Sequence, residues 1–305
     1  MIRPPAAYAP HQAFVAPARS HAQLWRLVAG LVLGAGGYIL LAQVFYTTLF
    51  ALFALFAPFA RAGAAVGNEA TGATPFDMLA LLFSFGAMTL VLALLVTVLH
   101  NRSALTLLGP WRPFALQFGV AAAAMVALSL ALVVLPPWGM DPPMLPGLPF
   151  GVWAALLPLS LLAVLVQVSA EELLFRGYIQ QQLAARFTSP LVWMVLPSAL
   201  FALGHYAPET TGGNAIWIAA WAGIFGLLMA DLTARTGTLG PAIAVHFINN
   251  VIAMLFTAMP DDLSGLALYI MPFALSDEAA IARWLPVDFA IMLTGWLAVR
   301  LALRR

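Results

Sequence analysis

The 305-residue chain contains no cysteine and no lysine. Without cysteine there is no disulfide, no thiolate nucleophile and no sulfur-ligated zinc, so a metal would have to be held by His, carboxylate or amide groups. Charge of either sign is scarce. Asp, Glu and Arg together supply 8% of the residues, against about 25% in a soluble domain. That cannot cover a water-facing surface, and the chain as a whole is 63% apolar with a mean hydropathy of +0.96. The chain reads as an integral membrane protein. Its net charge of +1 lacks the clustered basic excess that a nucleic-acid partner requires.

What is present is a series of long apolar runs. A transmembrane helix needs about 20 such residues, and candidate spans lie near 27–58, 78–100, 114–136, 151–173, 190–207, 214–230, 239–258 and 287–303. The first is long enough to hold two helices, and arginine placement decides for one. With one span there and the N-terminus inside, only Arg61 and Arg283 fall outside the cytosolic segments, whereas splitting it would reverse that bias. The expectation is eight spans with both termini cytosolic. Runs rich in Leu, Ala, Val and Phe without period-two alternation predict an all-α membrane protein, a helical bundle and not a barrel.

Residues 1–26 are Pro- and Ala-rich and lack a signal-peptide pattern, which predicts a flexible cytosolic tail. Residues 27–150 would hold the first three spans with their loops, 151–258 a core of four helices, and 259–305 an outer loop and the last helix. His11, His21 and His100 fall at or beyond span ends and read as incidental. Asp231 and Arg235 form an i, i+4 pair at a cytosolic helix end, a structural feature.

Three apolar helices carry polar groups. They are Glu171, Glu172 and Arg176; Phe201 and His205; and His246 with Asn250. Ionisable groups in hydrocarbon cost about 2.5–3.5 kcal/mol even on the lenient insertion scale, so they should face the bundle interior and find partners. Glu171 lies seventeen residues before Thr188, and His205 lies seventeen after it. An antiparallel hairpin turning at Thr188-Ser189-Pro190 would therefore bring them to one depth. Asn250 falls on the face of His246 at i+4. Glu172 and Arg176 can pair along one face, leaving Glu171, about 100° away, to face a wet cavity. Phe201 would pack beneath the His205 ring or line a substrate groove. Glu171, His205 and His246 could also be three metal ligands with an open fourth position, although no HExxH helix is present.

These blocks resemble the CAAX-protease and bacteriocin-processing family of intramembrane endopeptidases, also called the Abi family, to which type II CAAX prenyl endopeptidases belong. Its EExxxR, FxxxH and HxxxN motifs match Glu171, Glu172 and Arg176, then Phe201 and His205, then His246 and Asn250, within residues 150–255. The resemblance implies peptide-bond hydrolysis, with Glu171 and His205 activating water and His246 and Asn250 stabilising the oxyanion. Glu172, Arg176 and Phe201 are expected as supports. No cofactor is expected to be required; zinc or another divalent metal, if used, would take Glu171, His205 and His246. The expected partners are a membrane-associated protein or peptide substrate and the lipid bilayer, with no nucleic acid, in a multi-pass protein of a bacterial inner membrane. A proton- or ion-coupled transporter, or a catalytically silent immunity or scaffold protein of the same fold, is the competing reading.

Overall fold

A computed structural model describes residues 6–60, 72–136, 142–260 and 263–305. Arg3 and Arg61, which enter the topological reading, lie outside the described residues. The protein is an all-α bundle. Its elements are α1 (Ala9–Val15), α2 (Leu24–Ala60), α3 (Pro75–Ser84), α4 (Gly86–Leu99), α5 (Trp111–Val134), α6 (Phe150–Glu172), α7 (Gln181–Arg186), α8 (Leu196–Gly204), α9 (Pro208–Thr211), α10 (Ala215–Thr236), α11 (Gly240–Val251) and α12 (Glu278–Ala302). Three π-helical stretches extend these: Leu173–Gln180 joins α6 to α7, Leu191–Val195 leads into α8, and Ile252–Phe256 prolongs α11.

Among the described residues, six helical stretches are long and apolar enough to cross a membrane, and two shorter apolar ones, Leu191–Gly204 and Gly240–Phe256, complete the set of eight read from the sequence. Local signals set their ends. Thr74 caps α3 by accepting from the Asp77 amide, with Pro75 following, the favoured arrangement at a helix start. Gly237, at φ +72°, closes α10 in the left-handed region that only glycine enters freely. Asp277 caps α12 through the Ala280 amide.

Helix α11 is the axis of the bundle and packs on α5, α6 and α10, while α10 packs on α8. Every residue from Gly240 to His246 is buried. A Cβ at Gly240 would collide with the Phe114 carbonyl oxygen, so glycine there lets α11 close on α5. Helices α2 and α5 instead present Val32, Leu40, Leu116 and Val133 outward, each more than half exposed; such surface suits lipid contact. Beyond the helix ends, β1 (Leu145–Pro146), β3 (Tyr269–Ile270) and β2 (Thr257–Ala258) pair in that order, antiparallel then parallel, tying the loop after α11 to the entry of α6.

The N-terminal stretch departs from the expected flexible tail. Residues 6–21 form α1 flanked by short 3-10 turns and dock on the bundle. His11, Phe14, Val15 and Ala18, spaced i, i+3, i+4 and i+7, are 0–1% exposed, which is the one-sided spacing of a helix that buries a face. The His11 ring lies 4.5 Å from that of Trp193, and Gln181 Nε2 donates to the Phe14 carbonyl at 2.7 Å. Tyr8 donates to Asp231 Oδ1 at 2.8 Å. His100 is likewise no bystander: it is fully buried, with Nε2 2.8 Å from the Tyr178 hydroxyl.

Candidate active site

Four elements deliver the polar side chains to one place. Helix α6 carries Gln167 and Glu171, four residues apart and on one face, and both line a cavity of about 400 Å³. His205 is the residue that ends α8, Asn249, Asn250 and His246 come from α11, and Trp221 and Phe225 come from α10; all of them line the same cavity. Its far wall is apolar, with Leu81, Phe85, Met254 and Leu263. A larger cavity of about 610 Å³ between α2, α4 and α6 contains no titratable group. All four residues expected to do chemistry, Glu171, His205, His246 and Asn250, thus border a single space.

The two adjacent glutamates separate as helix geometry requires. Glu172 is fully buried and its Oε1 accepts from Arg176 Nη1 at 2.8 Å. Glu171 keeps 13% of its side-chain surface and opens to the cavity. The pairing of Glu172 is broader than the sequence indicated: the same Oε1 lies 2.9 Å from His246 Nδ1. The other ring nitrogen of His246, Nε2, lies 3.6 Å from Glu171 Oε2. His246 therefore bridges the two carboxylates through opposite edges of its ring. Its carboxylate partner on Nδ1 fixes the ring orientation and leaves Nε2 as the atom presented to the cavity.

The tautomer of His205 follows from its partner. Nδ1 lies 2.9 Å from the Phe201 carbonyl oxygen, which can only accept, so Nδ1 carries the proton and Nε2 offers a lone pair. Phe201 packs against this ring at 4.4 Å between centroids and stands edge-on to His246 at 6.1 Å. The Arg176 guanidinium lies over the Phe201 face, 4.9 Å from its centroid, an arrangement that stabilises a desolvated cation. Phe225 completes the panel, edge-on to His246 at 5.0 Å and stacked on Trp221 at 5.5 Å.

Asn250 is oriented by a residue that sequence reading passed over. Its Nδ2 donates to Gln167 Oε1 at 3.0 Å, and its Oδ1 accepts from Asn249 at 3.3 Å. One amide hydrogen is thereby held and the second is free to serve the cavity. The signal for Gln167 lay in the sequence: an amide one turn before Glu171 in an otherwise apolar helix. Among the described residues no three His, Asp or Glu side chains form a group able to hold a metal ion.

Residues 153–252 match the model of a family described as type II CAAX prenyl endopeptidase Rce1-like. The matched segment contains all three polar blocks, so the family match and the resemblance read from those blocks fall on the same residues. An uncharacterized protein of Bacillus subtilis (strain 168), YyaK, is 33% identical over 119 residues, 37% of this chain and 38% of the relative. The chain therefore matches well under half the length of that relative. No solved structure matches.

Proposed function

We propose that this chain is an intramembrane endopeptidase that hydrolyses a peptide bond of a membrane-associated protein or peptide. The observation that carries the reading is the convergence of Glu171, His205, His246 and Asn250 on one cavity walled by apolar side chains. In this reading a water in that cavity gives a proton to the Glu171 carboxylate while its oxygen attacks the scissile carbonyl carbon, with the His205 Nε2 lone pair as second acceptor. A positioned base of this kind contributes about 10²–10⁴-fold.

In this reading His246 carries a proton on both ring nitrogens, between the carboxylates of Glu172 and Glu171, so that the tetrahedral oxyanion is met by its Nε2–H and by the free hydrogen of Asn250 Nδ2. Donors preset in a dry site are worth several kcal/mol, about 10²–10³-fold each. Collapse breaks the C–N bond, and the proton held by Glu171 passes to the departing amine. Glu172 and Arg176 hold His246 and the helix in register, and Phe201 seats both imidazoles. No step calls on a metal. In this reading both termini face the cytosol, which the arginine bias of the loops supports, and the membrane is a bacterial inner membrane.

The test uses the purified full-length protein in lipid nanodiscs with membrane-tethered peptides, scored for cleavage by mass spectrometry. Glu171→Gln and His205→Ala are expected to abolish cleavage with melting temperatures near that of the parent. Undiminished cleavage by both variants would overturn the assignment. Substrate-dependent proton flux without cleavage would replace it with transport.

A further inference from the structure

The strongest unassigned chemistry lies outside the cavity, where α2 begins and α4 ends. Arg26, in the first turn of α2, donates through Nη1 to the Leu99 carbonyl at the end of α4. His100 follows Leu99, and its Nδ1 lies 3.2 Å from the His21 carbonyl oxygen. Arg102, two residues on, donates through Nη1 to the Thr106 hydroxyl at 2.6 Å. Burial, with the neighbouring charges of Arg102, Arg26 and His21, holds the His100 imidazole below its ordinary value, so the cationic groups here are the arginines Arg26 and Arg102.

This cluster lacks a counter-charge. The sequence holds no Asp or Glu before Glu69 and none from 78 to 140. Among the described residues, every ion pair is made by other groups, and neither Arg26 nor Arg102 has a carboxylate partner. Three of their nitrogens, Arg26 Nε and Arg102 Nε and Nη2, are buried without any hydrogen-bond acceptor. On Arg102 those two atoms form the forked edge of the guanidinium, the edge that grips a carboxylate or phosphate with two parallel bonds. Burial without an anion pulls Arg102 down to about 10. Unanswered charged donors of this kind are expensive, and an external acceptor removes the cost.

Position narrows the acceptor. The spans begin at Leu24 and end at Leu99, so the cluster sits at the membrane–water boundary. Beside it Trp25 is 59% exposed, with the Arg26 guanidinium 4.7 Å from its ring centroid. Exposed tryptophan at a span end marks headgroup level. We propose that Arg26 and Arg102 form a binding site for an anionic phosphate group, supplied by the headgroup of a phospholipid in the adjoining leaflet.

The test is native mass spectrometry of the full-length protein released from nanodiscs containing phosphatidylglycerol and phosphatidylcholine, with a parallel melting series in detergent titrated with phosphatidylglycerol or inorganic phosphate. The parent is expected to retain phosphatidylglycerol selectively, and Arg102→Gln to retain about tenfold less, the loss of one charged hydrogen-bonding partner. Arg102→Lys, which keeps the charge but loses the fork, should fall between them. Stabilisation by inorganic phosphate as strong as that by the lipid would assign the site to free phosphate and overturn the lipid source. Equal retention of the two lipids by the parent would overturn the site itself. So would undiminished phosphatidylglycerol retention in Arg26→Gln and Arg102→Gln. If Arg102→Gln does not fold, Arg26→Gln and Arg102→Lys decide.

Discussion

Two carboxylates in this chain each stand four residues before an arginine, and the two pairs serve different ends. Glu172–Arg176 and Asp231–Arg235 share the i, i+4 spacing and the same 2.8 Å separation. The first is sealed, at 1% and 0% side-chain exposure, whereas the second keeps 18% and 9%. What differs more is the third partner. The spare capacity of Glu172 goes to His246 and so reaches the cavity. That of Asp231 goes to Tyr8 and Trp296, which fasten the N-terminal segment and α12. Spacing predicts an ion pair; the neighbours of the carboxylate decide whether it supports chemistry or architecture.

The largest effect should come from the glutamate beside the sealed pair. Glu171→Gln is expected to lower cleavage by about 10³-fold or more, the combined scale of a lost base and a misdirected site, while Asp231→Asn leaves the rate per folded molecule unchanged. A single-turnover assay on both variants measures the contrast, and equal losses would erase it. Stability should order the pairs the same way. Glu172→Gln leaves a buried guanidinium unpaired and should cost about 3–5 kcal/mol. Asp231→Asn, in a partly wet site, should cost about 1–2 kcal/mol. Denaturant melts with activity as a parallel readout compare them.

A smaller effect tests whether orientation of the oxyanion donor matters. Gln167→Ala is expected to reduce kcat about tenfold, below the full loss of a donor, with KM little changed; a shift confined to KM would mean that Gln167 contacts substrate instead. The smallest effect concerns pH and the outer pair. Burial pushes the His11 imidazole down to about 3 from its ordinary 6.5. The docked segment therefore binds that proton less readily than the released one. Docking is at full strength above about pH 6.5 and weakens progressively as pH falls toward 3. Trp193 fluorescence, reporting the ring 4.5 Å from His11, should follow this titration. His11→Phe, which keeps a ring there, should abolish it.

Much of the site was legible because hydrocarbon makes polar residues conspicuous. Glu171, His205, His246 and Asn250 could be picked out against apolar helices, and the common depth of Glu171 and His205 followed from counting residues to a shared turn. That count survived two π stretches, Leu173–Gln180 and Leu191–Val195, because they fall on both arms of the hairpin, so the departure from α-helical rise is not one-sided. Gln167 was passed over because its signal, an amide one turn before Glu171 in an apolar helix, belongs to no motif. The docking of residues 6–21 was hidden for another reason. Its buried face is only four residues wide and includes His11, a residue type that counts as polar, among prolines that suggest disorder. His100 was passed over because a span-end position says nothing about the Tyr178 hydroxyl, which reaches it from far along the chain.

The docked N-terminal segment has a consequence for biogenesis. Its anchors are distant in sequence: His11 meets Gln180 across 169 positions, and Tyr8 meets Asp231 across 223. At roughly 5–20 residues per second of synthesis, Tyr8 leaves the ribosome some tens of seconds before its acceptor exists. A segment made early is thus among the last to find its place, and its protection from an added protease would report that a nascent bundle has been completed through α10.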